Sequence, residues 1–197
     1  ELMVAHTEQV WQWQGGEFQP GPIEVPAGSA AIRIARTETL FGSARLWMAT
    51  TDGLWFRSLD PTAAGIWQRF DDQRLKTFLS TDLLRTSDGD SEELWVLSYG
   101  SGILRIRDDG VRGWRAETGE LPTEAIYNAR VTHTRDGERL LWMASRAGLL
   151  QIRGDAVRAF DRRHGLPSDA VRAVEVQRNV DGVDLLWLAT EGGIVRA

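Results

Sequence analysis

Seven polar residues, Arg33, Arg85, Tyr127, Asn128, Arg130, Arg172 and Glu175, are of the types that could build a binding site in this chain. Each falls in an alternating stretch that reads as the first strand of a repeated unit, and none is repeated from copy to copy. Guanidinium groups are planar forks of permanent charge, so several converging on one axis would suit an anionic or polyhydroxylated ligand. The plainer reading is that these are solvated strand residues lining a wet central channel.

Catalytic and metal chemistry find less support. His6, His133 and His164 lie far apart, and none has a companion at metal-ligand spacing, so they read as solvated or turn histidines. The stretch Asp88-Gly89-Asp90-Ser91-Glu92-Glu93 is acidic enough for calcium but lacks the twelve-residue ligand order of an EF-hand loop. Its place just before Leu94-Trp95 fits a hairpin turn. There is no glycine-rich phosphate loop, no Gly-x-Ser-x-Gly elbow and no Ser, His and Asp set in a recognisable context. Carboxylates such as Asp169 and Glu175 could be brought together by a ring, as in any repeat fold of that kind. No catalytic residue, metal or cofactor is therefore assigned.

Composition narrows the partners. The 197 residues carry a net charge of -5, and the 23 basic residues are spread through the sequence, which argues against a nucleic-acid partner. With no cysteine there is neither a disulfide nor a thiolate metal site, so redox chemistry gives no compartment. No apolar run approaches the roughly 18 residues that cross a bilayer. Glu1-Leu2-Met3-Val4 resembles neither a start nor a signal peptide, and the chain reads as part of something longer.

What must position any site is a repeat. The pair Leu-Trp recurs as Leu46-Trp47, Leu94-Trp95, Leu141-Trp142 and Leu186-Trp187, at spacings of 48, 47 and 45 residues. Each pair opens a segment such as Leu141-Trp142-Met143-Ala144-Ser145, followed by a glycine and an aliphatic residue: Gly53-Leu54, Gly102-Ile103, Gly148-Leu149, Gly193-Ile194. The second copy holds one extra residue, within Ser98-Tyr99-Gly100-Ser101. An aromatic follows at Phe70, Trp114 and Phe160, and then Leu121-Pro122 or Gly165-Leu166-Pro167. Four short apolar runs per unit, separated by tight-turn residues, predict antiparallel strands, and four strands in about 46 residues make one blade of a propeller. Trp47, Trp95, Trp142 and Trp187 recur in register and read as packing residues. Trp11, Trp55 and Trp67 have no counterparts, which leaves a surface role or local packing open for them.

This order, an Asp-Gly turn, Leu-Trp-hydrophobic-Ala-Thr, Gly-Leu, an aromatic, then Gly-Leu-Pro-Ser, resembles the two-component regulator propeller repeat. The clearest copy runs from Asp136 to Val171, and the likeness is weak before about residue 44. The expected fold is all-β, a β-propeller of about four blades of four antiparallel strands and a fragment of a larger propeller. Its blades are expected as a partial one at 1–20, others at about 21–75, 76–120 and 121–165, and a partial one at 166–197.

The resemblance implies a periplasmic sensor, the extracytoplasmic part of a membrane-bound hybrid histidine kinase, diguanylate cyclase or related receptor. Its ligand would be an unknown small molecule, a carbohydrate among the candidates. The family has no shared catalytic motif, so the segment is expected to be non-enzymatic and no residue role carries over. Exposed strand edges would be met by the remaining blades or by another copy of the chain. Two other readings are a protein-interaction scaffold and, behind it, a propeller lyase or hydrolase.

Overall fold

The computed structural model describes residues 3–6, 9–63, 65–75, 79–88 and 91–197. Gly89 and Asp90, the centre of the acidic turn, lie outside them. Antiparallel strands make five sheets. The first holds β1 (Met3–His6), β2 (Gln9–Gln14) and β3 (Glu17–Glu24). The second holds β4 (Ala31–Thr37), β5 (Arg45–Thr50), β6 (Gly53–Ser58) and β7 (Gln68–Arg69). The third holds β8 (Ser80–Asp88), β9 (Ser91–Ser98), β10 (Ile103–Arg107) and β11 (Gly110–Trp114). The fourth holds β12 (Ile126–His133), β13 (Arg139–Ser145), β14 (Gly148–Arg153) and β15 (Ala156–Phe160). The fifth holds β16 (Val171–Arg178), β17 (Asp184–Thr190) and β18 (Gly193–Arg196).

Strands follow one another in sequence order within every sheet, as tight hairpins require. The sheets are the blades of a β-propeller, and the only helical turns among the described residues are three short 3-10 segments. No described helix is long and apolar enough to cross a membrane. The chain divides into two compact units, 1–96 with 105–111, and 97–104 with 112–197.

The Leu-Trp strand organises the second to fifth sheets. In β5 every residue from Leu46 to Thr50 is buried, because both faces of the strand are covered. Leu46 and Met48 join Val10, Ile23 and Ala31 in one cluster. On the other face Trp47 stacks against Phe56 and Phe70, with ring centroids 5.3 and 5.6 Å away. Burial of a side chain this large is worth on the order of 4–6 kcal/mol of apolar transfer energy before ordering entropy is counted.

In the second unit, Leu186 and Leu188 of β17 pack with Val171 and Val174 against Ala144 and Leu149 of the fourth sheet. The alternate residues Trp187 and Ala189 are exposed, so β17 shows the period of two that β5 lacks. Trp187 thus departs from the packing role its register suggests, since only one face of its sheet is covered among the described residues.

Each of these tryptophans also brings a polar N–H into its sheet, and each finds an acceptor on the first strand beside it. The indoles of Trp47, Trp95 and Trp142 donate to the hydroxyls of Thr37, Thr86 and Thr132 at 2.9, 3.1 and 2.9 Å. Trp187 donates to Gln177 Oε1 at 2.8 Å. A buried indole N–H without an acceptor costs about 1–3 kcal/mol. The Thr37→Val protein should therefore lose about that much in chemical denaturation, because Trp47 and Thr37 are both fully buried. Gln177→Leu should lose under about 1 kcal/mol, because water reaches the half-open Trp187. Equal losses at the two sites would contradict this account.

Candidate functional site

Three hairpins share one construction. The hydroxyls of Thr50, Ser145 and Thr190 donate to the carbonyls of Gly53, Gly148 and Gly193 at 3.0, 2.7 and 2.7 Å. They also accept the backbone N–H of Asp52, Ala147 and Gly192. Glycine is needed at the exit: a Cβ on Gly148, at φ 112°, would stand 2.1 Å from the carbonyl oxygen of Phe160. The residue at the tip, Thr51, Arg146 or Glu191, anchors its own N–H on the carbonyl of Ala30, Ala125 or Ala170 at 3.0 to 3.1 Å. Its side chain is left exposed.

A second position varies beside the first. The register of β4 on β5 skips Ile32, that of β12 on β13 skips Tyr127, and that of β16 on β17 skips Arg172. These are bulge residues, and a bulge re-aims a side chain out of the ladder. The repeated frame thus presents one bulge side chain and one turn side chain at the same end of the strands in each of these three sheets.

In the unit formed by 97–104 and 112–197 these positions meet in a cleft of about 450 Å³. Tyr127 and Arg146 come from the fourth sheet, Arg172 and Glu191 from the fifth. Tyr99 adds a ring whose centroid is 5.8 Å from that of Tyr127. It is placed by an isolated bridge to Ala125 and by the N–H of Gly100 donating to the carbonyl of Glu124. The extra residue of the second repeat thus falls at the cleft wall. Arg162, Ser168 and Asp169 complete the rim.

The electrostatics are uneven. The Arg172 guanidinium lies 5.2 Å over the Tyr127 ring, donates to its hydroxyl at 2.6 Å and pairs with Glu191. The hydrogen bond to Glu191 holds Arg172 above the usual arginine range. Asp169 accepts the backbone N–H of Arg162 at 2.8 Å. The turn carrying Arg162 is capped by Asp161, which accepts the N–H of Arg163 and pairs with its guanidinium, both at 2.9 Å. That hydrogen-bonded guanidinium holds the Asp161 carboxyl well below the carboxylate range. The guanidinium groups of Arg146 and Arg162 have no hydrogen bond or ion pair among the described residues.

Of the seven residues singled out from the sequence, Tyr127 and Arg172 meet in this cleft. The other five are engaged elsewhere. Arg33 Nε donates to Asp82 at 3.2 Å. Asn128 exchanges two hydrogen bonds with the backbone of Val174, at 2.8 and 3.0 Å. Arg130 grips Glu175 with Nε and Nη2 at 2.8 to 3.0 Å, so Asp169 and Glu175 serve different partners. Arg85 pairs with the buried Glu92 at 2.7 Å. Arg33, Asn128, Arg130 and Glu175 therefore tie first strands of adjacent sheets to one another. Sequence reasoning missed Tyr99, Arg146, Arg162, Ser168 and Glu191 as cleft residues. The signal for them was the position after each Ala-Thr or Ala-Ser, where Thr51, Arg146 and Glu191 differ in charge inside a constant frame.

Of the unmatched tryptophans, Trp67 donates to the carbonyl of Glu24 at 2.7 Å and packs on the Val10 cluster, Trp55 donates to Asp52, and both are half-buried. His133 ends β12 at the opposite end of that strand from Tyr127, and His164 caps the Asp161 turn. No group of three or more potential metal ligands gathers among the described residues.

No protein-family model matches the chain, and no curated protein does. Among solved structures, BBS1N in complex with ARL6DN is similar over 98% of this chain and 73% of that one, at 12% identity and a TM-score of 0.53. The extracellular domain of BT4673 from B. thetaiotaomicron is similar over 98% of this chain and 30% of that one, at 15% identity and a TM-score of 0.48. The likeness to BBS1N is one of fold.

The Glu92 carboxylate also accepts the backbone N–H of Glu38, Thr39 and Leu40 at 2.6, 2.6 and 3.1 Å. Its burial raises the pKa, but these N–H groups and Arg85 outweigh it and hold the group below its usual 4.5. A carboxyl depressed on folding contributes stability above its unfolded pKa and loses it as pH falls through the folded one. Glu92→Gln should thus cost about 1–3 kcal/mol at pH 7. The deficit against the parent protein should shrink below pH 4.5 in thermal melts. A deficit constant from pH 3 to 7 would show that the carboxylate charge is not what the N–H groups bind.

Proposed function

We propose that this chain is a ligand-binding, non-enzymatic propeller segment of the two-component regulator type, serving the extracytoplasmic sensory part of a membrane-bound bacterial signalling receptor. The observation that carries the binding reading is the cleft itself. A repeated frame places one bulge and one turn side chain at a fixed end of the strands in three of the sheets. At the cleft these carry Tyr127, Arg146, Arg172 and Glu191. The counterpart cleft in the first unit, about 500 Å³ around residues 25–30 and Thr51, is lined by no ionisable side chain. The same architecture is therefore chemically dressed in one place and plain in another, as a binding site on a structural scaffold would be.

The receptor reading rests on the repeat order, which supports the family through Leu-Trp, Gly-Leu and Gly-Leu-Pro at fixed spacing. In such a receptor the segment reports occupancy through a difference in ligand affinity between two packings of its sheets. A second reading, a scaffold for another protein, is favoured by Trp13 and Phe18. Their rings meet edge to face at 5.0 Å, and 47% and 44% of their surfaces remain exposed.

Two measurements test the proposal. In a thermal-shift screen of small water-soluble metabolites, a ligand present at about 100 times its Kd should add roughly 2.7 kcal/mol of stability. Tyr127→Ala and Arg172→Ala should abolish that shift, and Arg130→Ala should leave it in place while breaking the pair with Glu175. A shift retained in the cleft variants and lost in Arg130→Ala would move binding to the strand faces. The second measurement is the reading frame on either side of the 197 residues. Further Leu-Trp repeats, an apolar span of about 20 residues and a kinase or cyclase domain are expected. A stop codon soon after Ala197 with no membrane span upstream would leave the scaffold reading in its place.

A further inference from the structure

Arg146 and Glu191 occupy the same turn position in adjacent sheets, as Tyr127 and Arg172 occupy the same bulge position. In the fifth sheet the bulge cation and the turn anion neutralise each other as Arg172 and Glu191. In the fourth sheet the turn position holds a cation, and its bulge partner is the uncharged Tyr127. Arg146 is therefore left without the oppositely charged bulge partner that the turn residue has in the neighbouring repeat.

A third cation enters from outside the repeat. Arg162 stands on the short turn capped by Asp161, whose carboxylate is taken by Arg163, and Asp169 uses its carboxylate on the backbone N–H of Arg162 and not on its guanidinium. The cleft thus holds three guanidinium groups against two carboxylates, and the two unpaired groups, Arg146 and Arg162, line the same 450 Å³. Two unpaired guanidinium groups lining one small cleft favour an anion there, and each can bind an oxyanion through two parallel N–H donors. The rings of Tyr99 and Tyr127 supply the apolar wall against which the body of such a ligand would lie.

We infer that the ligand of this cleft carries an oxyanion, a carboxylate or a sulfate ester on a small polar body, seated between Arg146 and Arg162. This rests on the binding reading above and adds the class of ligand. It also assigns a division of labour. Arg146 and Arg162 select the charge, while Arg172, held by Glu191 and lying over Tyr127, keeps the wall in shape.

The test separates charge from body. Galacturonate, its neutral methyl ester and galactose 6-sulfate are titrated into the chain, with the arginine Nε–H resonances followed by NMR and affinities taken by calorimetry. Galacturonate or the sulfate ester is expected to bind at least about ten-fold tighter than the methyl ester, and to shift two arginine Nε–H signals that are missing from the double variant. Arg146→Gln combined with Arg162→Gln should erase that preference while leaving the melting temperature within about 2 °C, since both side chains are exposed and unpaired. Arg135→Gln combined with Arg158→Gln, two exposed arginines that do not line the cleft, serves as the charge-matched control and should keep it. Which of the two acids binds distinguishes a carboxylate ligand from a sulfated one. Equal binding of acid and ester would overturn the anion assignment and leave the cleft as a neutral-ligand site. If neither acid nor inorganic sulfate at 50 mM, about a hundred-fold above a sub-millimolar Kd, moves the Arg146 and Arg162 signals, the oxyanion site is refuted. The metabolite screen would then stand as the separate test of binding.

Discussion

Every sheet that carries a Leu-Trp strand must solve the same problem: an indole large enough to fill the gap between sheets brings an N–H that has no place there. The solution is a hydroxyl or amide oxygen on the adjoining strand, nine or ten residues earlier in the chain, as Thr37, Thr86, Thr132 and Gln177 provide. Because that bond crosses from the first to the second strand of a sheet, it also fixes their register. A slip of one residue would turn Trp47 to the face of Leu46 and would strand its N–H against Val10 and Ile23. Leucine before tryptophan, and alanine or leucine two residues after tryptophan, then follow from the two faces of one strand: one meets the preceding sheet, the other carries the indole.

Once that register is fixed, the ends of the strands are determined and become free to vary. The Thr or Ser hydroxyl closes the hairpin, the glycine turns the chain into the third strand at positive φ, and the tip residue has its N–H already bonded. None of these requirements falls on the side chain at the tip. Thr51, Arg146 and Glu191 can therefore differ in size and charge at no cost to the fold, and the same holds for Ile32, Tyr127 and Arg172 at the bulge. The cleft is built from the positions that the packing constraint releases. This explains why it is polar while the rest of each sheet repeats.

The physical origin of these positions decides how much of the molecule could be read in advance. Trp47, Gly148 and Pro167 recur because each answers a packing or backbone demand, and such demands leave a period in the sequence. The all-β class, the four-stranded sheets and the tight turns were legible for that reason. Tyr127 and Arg172 were found because they lie in first strands that alternation reveals. Arg146 and Glu191 were not, since a turn residue free of packing demands has no pattern to match. The partnerships of Arg33, Asn128, Arg130 and Glu175 were also hidden. Alternation places a side chain on a face but does not say that the neighbouring strand offers Asp82, the Val174 backbone or a carboxylate. Trp187 shows the converse: its register was right, but burial depends on what covers the face.

The ties between first strands bear on what occupancy of the cleft could change. Asn128 binds the backbone of Val174, and Arg130 binds Glu175, so β12 and β16 are joined at two successive points along their lengths. The cleft lies just beyond them, with Tyr127 and Arg146 on one sheet and Arg172 and Glu191 on the other. A ligand held by both sheets would bind best when that junction is closed, and it would stabilise the closed junction by no more than its difference in affinity for the closed and loosened forms. The Arg130 side chain is partly and the Glu175 side chain largely exposed, and such pairs are worth about 1 kcal/mol or less. The reciprocal amide of Asn128 is also a local tie, whereas the Leu186 and Leu188 packing beneath it is not easily lost. The junction is thus strong in its apolar floor and adjustable at its polar rim, which places the adjustable part next to the cleft.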